Sequence, residues 1–122
     1  MRSWILEDHS GRPVTINKVA GLHRQQWATH TRETRERWFW IAQAANIPGL
    51  QVIGVEVTPL HSSARSPQDA GACAPEAKAA VDGLVDAGII LDDSGDFVSW
   101  IMFNRPEIGL VDGLRLGVVD LG

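Results

Sequence analysis

The residues with the most chemical potential lie between positions 69 and 96. Lys78 and Asp82 stand four apart, the spacing that brings two side chains together on one helix face. Asp92 and Asp93 follow side by side, just ahead of Ser94-Gly95. Adjacent carboxylates repel unless a cation or a proton lies between them. Asp69 adds an acid on the approach to the lysine-bearing segment. Mg²⁺ prefers oxygen ligands and keeps several waters, so two or three carboxylates suffice to hold it. The group therefore reads as a candidate cation site. The same residues also read as a solvated turn, because Asp, Ser and Gly are common turn formers. Lys78–Asp82 equally reads as an ordinary surface pair. The EF-hand spacing is absent: Gly95 sits in the wrong place and no Glu occupies the twelfth position.

Other chemistries are poorly provided for. The lone Cys73 excludes a cysteine-based zinc site and an internal disulfide, and points to a reducing, cytosolic setting. His9, His23, His30 and His61 are scattered with no HExxH. His23 and His30, seven apart near a helix start, suit surface or capping roles. There is no GxGxxG, GxxxxGKS or GxSxG, so no nucleotide cofactor is expected, and no Tyr to serve as acid, base or nucleophile.

Composition sets the frame for these residues. The 122 residues, 44% hydrophobic and 21% charged, suit one globular domain over 1–122. No apolar run is long enough to span a membrane, and the N-terminal residues lack a signal-peptide pattern. Net charge is −4, but it is unevenly distributed. Residues 1–65 hold eight Lys/Arg against five acids (+3), whereas residues 66–122 hold three against ten (−7). That split suits a protein that meets phosphates with one surface and a cation with another. The basic surface is expected from the first helix and the loop that follows the strand after it, through Arg32, Arg35, Arg37 and Arg65.

The elements that must position these groups follow from periodicity. SWILED reads as a strand and HSGRP as a turn; VTINKVAGLHRQQ reads as loop with a piece of strand. Trp27, Thr31, Thr34, Trp38, Ile41 and Ala45 mark one face of a helix from Trp27 to about Asn46. LQVIGVEV reads as a strand closed by Pro59. A loop of about fourteen small residues precedes a second helix, which starts near Pro75 and ends at Gly88. Ala77, Val81, Leu84 and Val85 form its buried stripe. Ile89–Leu91 read as a short buried strand, FVSWIMF as a strand, and LRLGVVDL as a strand with Leu114, Leu116 and Val118 on one side. The order strand-helix-strand-helix-strand-strand predicts a two-layer α+β domain, two helices on a small, mostly antiparallel or mixed sheet.

The run KAAVDGLVDAGIILDDSGDFV resembles the segment of RusA-family Holliday junction resolvases in which a lysine-bearing helix ends in Ala-Gly and leads into an Asp-Asp turn and a strand. Lys78, Asp82, Ala87-Gly88, Asp92 and Asp93 match with no gap, about a quarter of the chain, and the preceding order of elements agrees. The resemblance implies a metal-dependent, structure-selective endodeoxyribonuclease of DNA recombination and repair that resolves four-way junctions. It implies a homodimer in the cytoplasm of a bacterial host, encoded by a phage or prophage. Under it Mg²⁺, with Mn²⁺ as a substitute, is held by Asp69, Asp92 and Asp93, with Asp93 the stronger ligand. Lys78 joins these acids as a catalytic residue, Asp82 supports it, and Arg32, Arg35, Arg37 and Arg65 meet DNA. This chain departs from the family at one place. Ala72 and Ala74 stand where the family has its first two catalytic aspartates, and Pro75 where it has Asn. Either a folded-back loop carries Asp69 toward Asp93, or the domain binds branched DNA or a host protein without cleaving it.

Overall fold

The computed structural model describes residues 1–64 and 68–122. The fold is α+β, with helices on one face of a mixed sheet. In chain order the elements are β1 (Ser3–Asp8), α1 (Ile16–Ala20), α2 (Arg24–Ala44), β2 (Ile53–His61), α3 (Ala74–Asp86), β3 (Val98–Phe103), β4 (Glu107–Ile108) and β5 (Gly113–Asp120). The sheet runs β1-β5-β2-β3, and β4 continues the β3 edge against the end of β2. β5 is antiparallel to both its neighbours, whereas β2 and β3 are parallel.

Register explains the core. Leu6 lies opposite Leu116, which lies opposite Val57, and Val118 lies opposite Val55. Side chains alternate along a strand, so these residues share the face that the helices cover. α2 lays Trp38 and Ala42 on that face, and α3 adds Ala77, Ala80, Val81 and Leu84. The two helices approach closely at Gly83, whose missing side chain admits the α2 backbone near Arg35 and Phe39. At the end of α3, Gly88 takes φ +79, the left-handed conformation that glycine adopts without strain. No helix among the described residues is long and apolar enough to cross a membrane.

Four local expectations are corrected. Residues 16–20 are a short helix, not strand, started by Thr15, whose hydroxyl accepts from the Lys18 N–H, and tied to α3's approach by Ile16 N–H donating to the Ala72 carbonyl. α2 begins at Arg24, three residues before Trp27, because the Gln26 side chain accepts from the His23 backbone N–H at 3.0 Å and so caps the helix start. β2 runs through Pro59 to His61. Pro59 falls where β2's neighbour on one side changes from β3 (Val57↔Phe103) to β4 (Leu60↔Glu107), so the ladder there asks nothing of its missing N–H. Ile89 and Ile90 are buried as expected, but in a turn. Their segment is held by Leu50 N–H donating to the Ile89 carbonyl and Ile89 N–H donating to that of Leu84.

Candidate functional site

α3 and the turn after it bring the central candidates together. Lys78 projects from the exposed side of α3, two turns ahead of the glycine cap. Its ammonium donates to Asp82 Oδ1 at 2.8 Å, one helical turn on, and also to Asp93 Oδ2. Burial works against the Lys78 ammonium, but the hydrogen bonds to Asp82 and Asp93 outweigh it and raise its pKa. The Lys78 hydrogen bond in turn holds the Asp93 carboxyl below the ordinary aspartate value. Asp92 Oδ1 accepts from the Asp93 backbone N–H at 2.8 Å, and its side chain also lies against the Asp93 carboxyl. One neighbouring carboxylate caps the turn, and the other meets an internal cation that offsets their repulsion.

Asp69 lies apart from this arrangement. It is exposed, and its backbone carbonyl accepts from the Ala72 N–H at 3.1 Å. Among the described residues, no three of His, Cys, Asp and Glu come together in a group that could hold a metal ion. Asp69 therefore does not join Asp92 and Asp93 as a third carboxylate. The Lys78 ammonium, moreover, already bridges Asp82 and Asp93, one positive charge shared by two carboxylates. The residues present do not fit Mg²⁺ or Mn²⁺ as the family pattern would hold it.

The four arginines expected at DNA have different situations. Arg35 donates to both carboxylate oxygens of Asp86, at 2.5 and 2.7 Å, and so clamps α2 to the end of α3. Arg37 donates to Asp8 Oδ2 at 3.1 Å and to the Thr34 hydroxyl at 3.3 Å. Arg32 is exposed and has no partner among the described residues, and Arg65 lies outside those residues. Lys18, Arg24 and Arg105 resemble Arg32 in having no partner there. Only such cations can neutralise a phosphate without first giving up a carboxylate.

A second polar cluster, unanticipated from the sequence, joins β1, α2 and the first turn of α3. Glu76 is buried, and its Oε2 lies 2.9 Å from His30 Nε2. The Arg37 guanidinium reaches Glu76 Oε1 at 3.9 Å, and buried Asp8 accepts from Arg37, from Ser10 N–H and from the Ser10 hydroxyl. His30, Thr34 and Arg37 recur at helical spacing, which was the available signal. Their partners are distant in sequence and gave none. A buried carboxylate is tolerated only when it is paired and hydrogen-bonded, so this cluster fixes the helix start that precedes Lys78.

No family model matches the chain, and no curated protein is significantly similar to it.

Proposed function

We propose that this chain is a RusA-like domain that binds branched DNA without cleaving it. The observation that carries the reading is the Lys78 bridge. The helix, glycine cap and Asp-Asp turn bring Lys78 onto Asp93, in the order the family resemblance implies. Yet Ala72 and Ala74 bring no carboxylates, and Asp69 does not replace them. A lysine already shared by two of the remaining acids competes with a metal ion for them. Phosphate contact is assigned to the unpaired cations Lys18, Arg24 and Arg32 of α1 and α2. The bacterial cytoplasm, where phage or chromosomal junctions arise, is the compartment this reading requires.

The test uses a labelled synthetic four-way junction beside linear duplex of the same sequence. Binding is followed by gel shift at low salt, and cleavage by denaturing gel with Mg²⁺ or Mn²⁺. Tighter binding to the junction with no cleavage is expected. Metal-dependent cleavage that Asp69→Asn or Asp93→Asn abolishes would restore the nuclease reading. Failure to bind either DNA would leave the chain as a protein-interaction domain.

A further inference from the structure

The face of the sheet away from the helices carries a cavity of about 960 Å³. Strand register fixes its floor. Leu6, Leu116 and Val57 face the helices, so their neighbours Ile5, Gly117 and Glu56, opposite one another on β1, β5 and β2, face the other way. Arg115 and Thr58 form the next row. Gly117 contributes no side chain, which leaves the middle of the floor open. The Glu56 carboxylate stands over that gap, with Oε2 3.9 Å from where a Cβ on Gly117 would lie. Asn104 and Arg105, which follow β3, line the cavity together with Pro106 and Ile108.

The charges of this cavity are not matched within the chain. Arg115 is committed to Glu7 and Glu107, donating to an Oε2 of each at 2.7 Å. Glu56 has no ion pair among the described residues. Its Oε1 accepts from the Asn104 amide nitrogen at 2.8 Å, and the same nitrogen donates to the Thr58 hydroxyl at 3.0 Å. Both amide protons are thereby used on the floor, and Glu56 Oε2 and the Asn104 carbonyl oxygen remain as acceptors. A half-buried carboxylate held only by a neutral donor still favours a cation. Arg105 is exposed and faces no carboxylate among the described residues, Glu56 included. Ile5 and Ile108, 71% and 51% exposed, add apolar surface to the same cavity.

We infer that this cavity binds a small zwitterion, an ammonium and a carboxylate joined by a short apolar chain. The ammonium donates to Glu56 Oε2 and the Asn104 carbonyl oxygen, the chain lies against Ile5 and Ile108, and the carboxylate meets Arg105. A cavity of ~300–1,000 Å³ with apolar walls and a few placed polar groups is the usual form of a small-molecule site. Hydrogen bonds to an ionised group are roughly twice as strong as neutral ones, which makes Glu56 the principal anchor. Arg105 and Arg115 oppose a second positive charge, and this selects a zwitterion over a polyamine or a basic peptide. The cavity lies across the sheet from the helices that carry Lys18, Arg24 and Arg32, so the inference stands whether or not the chain binds DNA.

The experiment compares 6-aminohexanoate with hexylamine and hexanoate, which keep the chain and remove one charge each. Each is titrated into the labelled protein while backbone amide signals are followed by NMR. 6-Aminohexanoate should shift the amides of Glu56, Asn104 and Gly117 saturably, with a Kd on the order of 1 mM for so small a ligand. Hexylamine should bind several-fold more weakly, and hexanoate should give no saturable shift. Glu56→Gln keeps the side-chain shape and should weaken 6-aminohexanoate about tenfold. Gly117→Val provides a second variant that leaves every charge in place. A Cβ there meets nothing closer than Glu56 Cβ at 3.5 Å, so the strand accepts it, and its methyl groups cover the floor. It should abolish binding with an unchanged circular dichroism spectrum. Absence of a saturable shift with 6-aminohexanoate would overturn the inference. So would hexylamine or hexanoate binding as tightly as the zwitterion, or full affinity in a folded Glu56→Gln or Gly117→Val variant.

Discussion

Replacing Gly83 with Ala sets two effects against each other whose magnitudes can be compared. Ala is the better helix former by about 1 kcal/mol in a helix interior, and Gly83 sits inside α3. On propensity alone the change would stabilise. The new methyl carbon, however, would stand 2.7 Å from Trp38 Cβ, 2.8 Å from the Arg35 carbonyl oxygen and 3.0 Å from the Phe39 nitrogen. Ordinary contact between such atoms needs roughly 3.5–4.0 Å, so α3 must retreat from α2 by about 1 Å. Two of the three obstructing atoms are main chain and the third is a Cβ, so no rotamer change relieves the overlap. Overpacking of this kind costs about 1–3 kcal/mol, and contact with three fixed atoms puts it at the upper end. The net expectation is a loss of ~2 kcal/mol. For a chain of this length that lowers Tm by roughly 6–10 °C. The Arg35–Asp86 clamp crosses the same contact and should loosen with it. Thermal and urea unfolding of both proteins would decide. A Gly83→Ala variant with a Tm at or above the parent's would refute the close approach and the two-layer packing argued from it.

Three further outcomes are expected. His61 is fully buried, both its ring nitrogens lack a hydrogen-bond partner, and Gln68 lies near without completing a bond. Burial, with the nearby Arg12 charge, lowers its pKa from 6.5. The unfolded chain therefore takes up a proton there before the folded chain does, and stability declines as pH falls from about 6.5 toward the folded value, by at most ~1.4 kcal/mol per pH unit. His61→Leu should flatten that decline in urea titrations, and an unchanged slope between pH 6.5 and 5 would remove His61 as its cause. Lys78→Met should change stability by less than about 1 kcal/mol, because the pair is largely exposed. The same change should raise the Asp93 titration midpoint in NMR toward the ordinary 3.8, and a midpoint that stays put would break the bridge. Junction affinity should fall with salt at a log–log slope near −3, from about three phosphates met by Lys18, Arg24 and Arg32. Converting all three to Gln should nearly abolish the slope, whereas a slope unmoved by the change would take these residues out of the interface.

The strength of the sequence reading varied with the range of the interaction behind each feature. The Lys78–Asp82 contact was legible because its i, i+4 spacing is local, and the left-handed Gly88 and the buried side of β5 were legible for the same reason. Helix α1 was not, since its five residues show no periodicity and are held by a bond to Ala72 from another part of the chain. The passage of β2 through Pro59 depends on which strands lie beside it, and so does the open edge of β3. Strand order is not written in either segment. The reading of Arg35 and Arg37 as DNA contacts treated charge as free. Their partners, Asp86 and Asp8, lie 51 and 29 residues away, and nothing local announces them.

The same distinction governs the functional reading. A cation in a sequence is evidence for an anionic partner only after its intramolecular claims are met. Among the described residues, Arg2, Arg12, Arg35, Arg37, Lys78 and Arg115 each face a carboxylate. Breaking such a pair to meet a phosphate exchanges one ion pair for another and releases fewer counterions. Lys18, Arg24 and Arg32 carry no such penalty, and all three belong to α1 and α2. The acids follow the same logic. Asp82 and Asp93 share the single charge of Lys78, whereas Asp92 serves its own turn and Asp69 remains exposed in the loop. The basic and acidic halves of the chain are therefore used unequally: the first keeps cations free, and the second engages its one central lysine with two of its own acids. Under the proposed function, the free cations are the groups that meet phosphate, and binding without cleavage is the outcome the junction assay should give.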